Sequence, residues 1–331
     1  MNAPLDIRVN KTIEDIETET LKNRLVTPDR IYSLIETENG RIAIGFQNGS
    51  ISINTLKITR KKWVTEIYKE NAHYNSVKSL CTLSSKRLLS GSDDCSIKVW
   101  NISKAKLTLL KTIQKHTLPI WKVISLSKER FASCSDDCSV KIWKDNNQYQ
   151  NLSTLKDDGN IISILQLRNK DILVSCSNKP SHGISFWNIQ TYSKIGNVQG
   201  YGINWSTHMT EFPNGNIGLV SGCEPFPIVI IDGNSQQVIT VIILNNNNVV
   251  KGYSLYIFNQ SSFLCVGGGT LVQISSIDYS ILFKSKGIKF KGNDIGGDFN
   301  GFYGMILFEG GNYLVVEYNK QVTLIKPFYY I

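Results

Sequence analysis

Two sets of serine, histidine and aspartate recur in the first half of the chain, and these are the residue types of a nucleophilic triad. The sets are His73, Ser90 and Asp94, and His116, Ser133 and Asp137. In a triad the histidine takes the serine proton and the aspartate orients the histidine. Here the complete set occurs twice with the same internal intervals. Such repetition is more typical of a structural device than of two active sites, so we expect no enzyme activity.

Metal and redox chemistry are not indicated by the other reactive side chains. No two of the seven cysteines have the two-residue spacing of a zinc knuckle or a redox motif. They are Cys81, Cys95, Cys134, Cys138, Cys176, Cys223 and Cys265. We interpret them as small buried hydrophobic side chains in a reducing compartment. With four histidines and no carboxylate cluster, the sequence predicts neither a metal nor a cofactor.

Length and composition indicate a globular chain. It has 331 residues, of which 41% are hydrophobic and 19% are charged, unlike a disordered chain. No apolar run approaches the roughly 20 residues of a membrane-spanning helix, and no basic region followed by an apolar stretch begins the sequence. We therefore expect an intracellular protein, cytoplasmic or nuclear, without a transmembrane segment.

Positive charge is concentrated in the first half of the chain. Residues 1–150 carry 24 basic and 16 acidic side chains, whereas residues 151–331 carry 12 and 11. The densest basic cluster has two aromatic neighbours: Lys57, Arg60, Lys61, Lys62, Trp63 and Tyr68. Basic and aromatic side chains together are typical of single-strand nucleic-acid binders, so binding of nucleic acid or an anionic lipid surface is one hypothesis. The simpler interpretation is a solubilising surface.

An internal repeat is the main structural signal. The segment Val77 to Asn101, VKSLCTLSSKRLLSGSDDCSIKVWN, aligns without a gap to Ile120 to Lys144, IWKVISLSKERFASCSDDCSVKIWK. Each segment has three short apolar runs with period-2 alternation between polar turns, which predicts a meander of strands. Weaker copies follow, and the positions equivalent to Ser90 are 46, 43, 42, 46, 45 and 50 residues apart. A period in the forties is typical of β-propellers with four strands per repeat.

These residues resemble the WD-repeat (WD40) β-propellers. The match is clearest in SGSDDCSIKVWN at 90–101 and in the run at 133–144, with SHGISFWN at 181–188 as a looser copy. The resemblance implies an all-β, seven-bladed β-propeller of four-stranded antiparallel blades. It would form a single domain over residues 18–331, after an N-terminal extension at 1–17. The blades would start near residues 31, 77, 120, 161, 206, 253 and 302.

Closure of the ring needs one more strand. The sequence of the last repeat predicts three strands, one fewer than a blade needs. A propeller removes its exposed sheet edges by closing on itself. Thr18 to Val26 could supply the missing outer strand of the last blade, so that an N-terminal strand closes the ring. The segment Ile13–Leu25 is also compatible with an acidic helix. We favour a short helix or coil followed by the closing strand.

The resemblance also gives the recurring polar set a structural role. In this family a His, a Ser, an Asp and a Trp form a hydrogen-bond network within a blade. The network maps onto His73, Ser90, Asp94 and Trp100 in repeat two, and onto His116, Ser133, Asp137 and Trp143 in repeat three. A buried Asp is costly unless it accepts hydrogen bonds, which a His and turn amides supply. The other repeats depart from this pattern, so we expect apolar packing to hold their blades, with less rigidity.

Propellers of this family resemble one another in binding peptides on the top face, around the channel. Its side chains come from the loops before the first strand and from the turn between strands two and three. By alignment the candidates are Tyr32, Gln47, Lys78, Asp93, Trp121, Asp136, Trp205, Glu224, Phe226 and Tyr303. Exposed Tyr and Trp are common interface anchors, although Trp121 and Trp205 could instead pack between blades. The charges are mixed, so they indicate no simple electrostatic preference.

Two functional hypotheses follow. The first is a non-catalytic scaffold, monomeric within a larger complex, that binds a peptide or loop of another protein on the top face. The alternative is nucleic-acid or anionic-lipid binding through the basic N-terminal half. The sequence carries no Phe-Arg-Arg-Gly motif of the family's lipid-binding relatives, and strong dependence of binding on salt would favour the alternative.

Overall fold

The structure is a computed structural model. It describes residues 24–37, 40–57, 62–84, 86–126, 129–146, 148–168, 170–179, 181–201, 203, 206, 208–222, 227–243, 254–267, 270–284, 305–308, 313–318 and 321–325.

These residues form short β-strands joined by tight turns. Several of the apolar runs end just before Asp, Asn or Ser, as at Asp93, Asp136 and Asn178, and these residue types favour turns over continued strand. No helix occurs among the described residues, and hence none there could cross a membrane. The predicted all-β architecture of four-stranded antiparallel sheets is confirmed for this part of the chain.

A short strand, β1 (Arg24–Val26), comes first, and six sheets of four consecutive strands follow. The first sheet is β2 (Ile31–Thr37), β3 (Arg41–Phe46), β4 (Ile51–Lys57) and β5 (Lys62–Lys69). The second is β6 (Val77–Ser84), β7 (Arg87–Ser92), β8 (Ile97–Ile102) and β9 (Leu107–Ile113). The third is β10 (Ile120–Leu126), β11 (Arg130–Ser135), β12 (Ser139–Lys144) and β13 (Asn151–Lys156).

The next three sheets repeat the same meander. The fourth is β14 (Ile161–Gln166), β15 (Ile172–Ser177), β16 (Ile184–Asn188) and β17 (Ser193–Val198). The fifth is β18 (His208–Glu211), β19 (Ile217–Val220), β20 (Ile228–Ile231) and β21 (Val238–Ile242). The sixth is β22 (Ser254–Asn259), β23 (Ser262–Gly267), β24 (Thr270–Ser275) and β25 (Ile281–Lys284).

The remaining sheet joins strands from opposite ends of the chain. It contains β26 (Met305–Phe308), β27 (Tyr313–Tyr318) and β28 (Gln321–Ile325), with β1 as its outer strand. The strand β1 pairs antiparallel with β28, and Leu25 lies opposite Val322. The predicted extension at 1–17 and the alternative helix up to residue 23 lie outside the described residues.

The core lies between successive sheets. One cluster joins Leu89 and Val99 of the second sheet to Phe131 and Trp143 of the third. Each fully buried side chain of this size contributes about 1.5–3 kcal/mol. Close approach depends on Gly91, because a Cβ there would lie 2.8 Å from Ile120 Cγ2 of the next sheet.

The first strand of each sheet contacts the first strand of the next. The contacting pairs are β2 with β6, β6 with β10, β10 with β14, β14 with β18, β18 with β22, β22 with β26, and β26 with β2. The end of the chain therefore returns to the strand that begins the first sheet.

Candidate functional site

The second sheet holds a continuous chain of buried hydrogen bonds. Trp100 Nε1 donates to Ser90 Oγ at 2.8 Å, and Ser90 Oγ lies 2.6 Å from His73 Nε2. On the other side of the ring, His73 Nδ1 lies 2.8 Å from Asp94 Oδ2. Asp94 also accepts hydrogen bonds from Ser96 through its amide and its hydroxyl. The structure thus brings together the four residues that the sequence grouped in repeat two.

The third sheet repeats this geometry. Trp143 Nε1 donates to Ser133 Oγ at 2.9 Å, Ser133 Oγ lies 2.7 Å from His116 Nε2, and His116 Nδ1 lies 2.7 Å from Asp137 Oδ2. Asp137 accepts a further bond from the amide of Thr117.

The protonation states of His73 and Asp94 follow from their burial and from their hydrogen-bond partners. Burial lowers the pKa of His73, and the opposing effect of Asp94 does not reverse this. Burial alone would raise the pKa of Asp94, but hydrogen bonds from His73 and Ser96 bring it below its usual range. We therefore assign the His73 proton to Nδ1, which donates to the Asp94 carboxylate, while Nε2 accepts from the Ser90 hydroxyl.

The arrangement has the members of a triad but no access for a substrate. Ser90 and Ser133 are both 0% exposed, and a Trp indole occupies the remaining side of each hydroxyl. A nucleophile must be within reach of the atom that it attacks. These hydroxyls connect elements of the fold instead.

The fourth sheet keeps part of the network with a different residue. Trp187 Nε1 donates to Ser175 Oγ at 2.8 Å, as in the second sheet. Asp157 stands where the histidine would be, four residues before the first strand, and accepts from Ser185 Oγ at 2.6 Å and Lys194 Nζ at 3.2 Å. Sequence analysis identified only a departure from the pattern in this repeat and not this replacement, which the fixed interval could have revealed.

The first sheet has a second substitute network. Asn54, at the Trp position, donates from Nδ2 to Ser52 Oγ at 2.8 Å and accepts from Thr65 Oγ1 at 2.7 Å. The first and fourth sheets, which were expected to be held by apolar packing, therefore also contain hydrogen-bond networks of their own. Buried polar groups must be satisfied wherever they occur, and these sheets satisfy theirs with other residues.

In each of the first four sheets, one residue of the turn between the second and third strands donates a hydrogen bond to the loop before the first strand. The amides of Gln47, Asp93, Asp136 and Asn178 donate to the carbonyls of Arg30, Ser76, Pro119 and Asn160 at 2.8, 3.1, 3.0 and 3.0 Å. These bonds place the turns and loops at one end of the sheets, which we call the top end. Asn178 was missed because the turn of the fourth sheet is longer, from 178 to 183.

Five predicted binding residues meet at the top end of the first three sheets. Lys78 Nζ lies 3.9 Å from the ring centroid of Tyr32 and 5.0 Å from that of Trp121. It also pairs with Asp93 Oδ2 at 3.4 Å, and Trp121 Nε1 donates to Asp136 Oδ1 at 2.7 Å. An ammonium between two aromatic faces is favourable because of the ring quadrupole. We call these five residues the top-end cluster.

The cluster is partly accessible and electrostatically mixed. Tyr32, Lys78 and Trp121 are each half-buried, and the Trp121 ring also packs against a core cluster. Trp121 therefore combines the two roles predicted for it, packing and surface display. Burial raises the pKa of Asp93, as does nearby Asp136, while Lys78 opposes the shift.

The other predicted top-face residues are not part of this cluster. Gln47 is exposed on the turn of the first sheet. Trp205, Glu224, Phe226 and Tyr303 lie outside the described residues.

Of the two aromatic neighbours of the basic cluster, Trp63 is buried and Tyr68 is exposed, so one of the two rings that the alternative hypothesis needs is inaccessible. Trp63 is 5% exposed and packs with Leu25 and Phe46 in the core. Tyr68 donates its hydroxyl to Ser50 Oγ at 3.0 Å, and Lys57 pairs with Glu66 at 3.7 Å. Arg60 and Lys61 lie outside the described residues.

The six cysteines of the described chain are free thiols. Cys134, Cys176 and Cys265 are buried, and burial raises the pKa of Cys176 to about 12. The interpretation of all cysteines as buried is wrong for the rest, since Cys81, Cys95 and Cys138 are half-buried. Cys95 and Cys138 occupy turns with φ of 65° and 61°.

The family model described as "WD domain, G-beta repeat" matches residues 64–101 and 107–144. The chain carries WD repeats. Each matched segment begins in the outer strand of one sheet and ends with the third strand of the next, from β5 to β8 and from β9 to β12. WD repeats generally mediate protein–protein interaction, and proteins that contain them are typically non-catalytic scaffolds. No curated protein matches the chain in sequence.

Proposed function

We propose that this WD-repeat chain is a non-catalytic scaffold that binds a peptide or loop of a partner protein at the top end of a seven-bladed propeller. The propeller would be a single domain over residues 18–331, with 1–17 as an extension and the blades starting near the positions predicted above. It would act as a monomer within a larger complex.

Three observations support a closed ring. The first strands contact one another in order, and β26 contacts β2. The strand β1 pairs with β28 and also contacts β5 of the first sheet. Both matched repeats supply the outer strand of one sheet and three strands of the next. In the same register, β1 would supply the outer strand of the last sheet.

The top-end cluster carries the proposal for the site. Its aromatic rings are held by Lys78 and Asp136 and remain partly open to solvent. A pre-organised aromatic surface loses little conformational entropy when a partner binds. Residues of this kind, surrounded by hydrogen-bonding groups, are the usual hot spots of protein interfaces.

The double variant Tyr32→Ala/Trp121→Ala tests this site by capture of partners from a lysate of the source cells. The matched control is Ile277→Ala, which removes a 78% exposed side chain from the turn between β24 and β25, at the opposite end. Cooperative melts first show that all three proteins are folded. We expect proteins captured by the wild type and by the control to be lost from the double variant by at least about tenfold.

Equal capture by all three proteins would contradict the proposed site. Capture that is insensitive to the double variant but disappears with added salt, with nucleic acid or lipid in the eluate, would instead support the alternative function of the basic half.

A further inference from the structure

The first strands of the first two sheets use a serine to reach the next sheet. Ser33 Oγ accepts a hydrogen bond from the amide of Leu80 at 2.8 Å, and Ser79 Oγ accepts from the amide of Val123 at 3.1 Å. Both serines are the third residue of their strands. These short side chains satisfy the backbone at the inner edge of the sheets.

The third sheet has a lysine at the same position. Lys122, the third residue of β10, reaches the next sheet and donates from Nζ to Ser163 Oγ at 3.3 Å. None of the ion pairs between described residues includes Lys122. Burial lowers its pKa, and the ionisable groups that act on it are the thiols of Cys81, Cys134 and Cys176. An ammonium in such a place has lost part of its water without gaining a carboxylate from the described residues, which is costly.

A second donor lies on β18, the first strand of the fifth sheet, two sheets after the one that contains Lys122. His208 Nδ1 accepts from the amide of Leu255 at 3.3 Å, so the neutral ring carries its proton on Nε2. The ring lies 5.0 Å from that of Tyr256. Burial, with a smaller contribution from the charge of Lys122, lowers the pKa of His208 to about 3. At neutral pH the imidazole is therefore a neutral donor within the electrostatic range of Lys122, which forms no ion pair with a described residue.

We propose that Lys122, Ser163 and His208 form a binding site for a small oxyanion, in the space that the first strands surround. The ammonium supplies the counter-charge and the imidazole Nε2–H a second donor, while Ser163 fixes the direction of the lysine. Lys122 and His208 both keep a partly accessible surface, so an anion can reach them. A phosphate or a carboxylate fits this donor set, and the carboxylate could belong to a partner's side chain.

The site depends on the contacts of β10, β14 and β18 and not on partner capture at the top end. The test uses the full chain in a phosphate-free buffer at constant ionic strength. Inorganic phosphate and acetate are titrated separately against chloride, and the NMR signal of the His208 Cε1–H is followed together with the melting temperature. We expect a saturable shift of the signal and a melting temperature that rises with the logarithm of the anion concentration.

Two variants and a control separate the site from general salt effects. Lys122→Met should lose both responses while melting no lower than the wild type in chloride, because replacing an unpaired buried cation by an apolar side chain is often neutral or stabilising. Ser163→Ala should weaken binding of the anion several-fold. Lys111→Met removes the same charge from an exposed position on β9 and should respond as the wild type.

The two anions distinguish the sources. Saturation by phosphate alone identifies a free phosphate-type ligand, and saturation by acetate identifies a carboxylate. The absence of a saturable response in the wild type, or an equal response in Lys122→Met, would overturn the proposal.

Discussion

At the scale of single residues, one serine hydroxyl organises each complete network. Ser90 Oγ accepts from the Trp100 indole and donates to His73 Nε2, so it satisfies two buried groups from different parts of its sheet. Ser175 in the fourth sheet satisfies only one, the Trp187 indole. The two positions therefore form a natural comparison within one chain.

We expect Ser90→Ala to lower the free energy of unfolding by about 3 kcal/mol and Ser175→Ala by about half as much, because each buried polar group left without a partner costs about 1–3 kcal/mol. Urea unfolding at neutral pH measures both. The exposed Ser84→Ala serves as the control. Equal losses at Ser90 and Ser175 would show that the histidine adds nothing to the network.

Residue types and intervals were sufficient to predict these networks in the second and third sheets, because similar segments that share the His, Ser, Asp and Trp positions repeat there without a gap. They were insufficient in the first and fourth sheets, where a different residue type occupies the equivalent position. Asp157 replaces a histidine with a group of opposite charge, and Asn54 replaces an indole. The fold requires that the buried partners be satisfied, and more than one residue type can do this.

At the scale of elements, successive sheets are joined by arginines at one position. Arg87, the first residue of β7, forms two hydrogen bonds with Asp145 after β12, at 2.6 and 2.9 Å. Arg130, the first residue of β11, donates to the carbonyl of Ile189 after β16 at 2.7 Å. The sequence analysis did not identify these links, because the pairs connect different repeats and no local pattern marks them.

We expect Arg87→Lys to lower the free energy of unfolding by about 1 kcal/mol, since lysine cannot make the two parallel bonds of a guanidinium with a carboxylate. A double-mutant cycle of Arg87→Ala with Asp145→Ala isolates the interaction between the sheets. The cycle should give a coupling of about 1 kcal/mol or more. A coupling near zero would mean that the pair fixes geometry without adding stability.

At the scale of the whole molecule, the pairing of β1 with β28 links the two ends of the chain. Leu25 is 8% exposed and packs with Phe46 and Trp63 of the first sheet, while its backbone belongs to the last. Sequence reasoning placed a strand here because the last repeat has three confident strands. It could not set the strand's bounds, because the same residues are compatible with a helix.

We expect Leu25→Pro to lower the melting temperature by several degrees, because the buried leucine side chain is lost and proline, with a fixed φ and no N–H, is poorly suited to a paired strand. The control is Leu110→Pro, at an exposed bulge of the outer strand β9. Proline is tolerated at bulges, so this variant should melt close to the wild type. Equal effects at both positions would argue against a special role for β1 in holding the molecule together.

The pairing of β1 with β28 also fixes an order of events during synthesis. Arg24–Val26 leave the ribosome long before their partners at Gln321–Thr323, because six complete sheets lie between them in the chain. Sheets of consecutive strands can form as they emerge, since their contacts are local. The sheet that contains β1 must wait until these six sheets have been synthesised, and until then Leu25 remains available to chaperones.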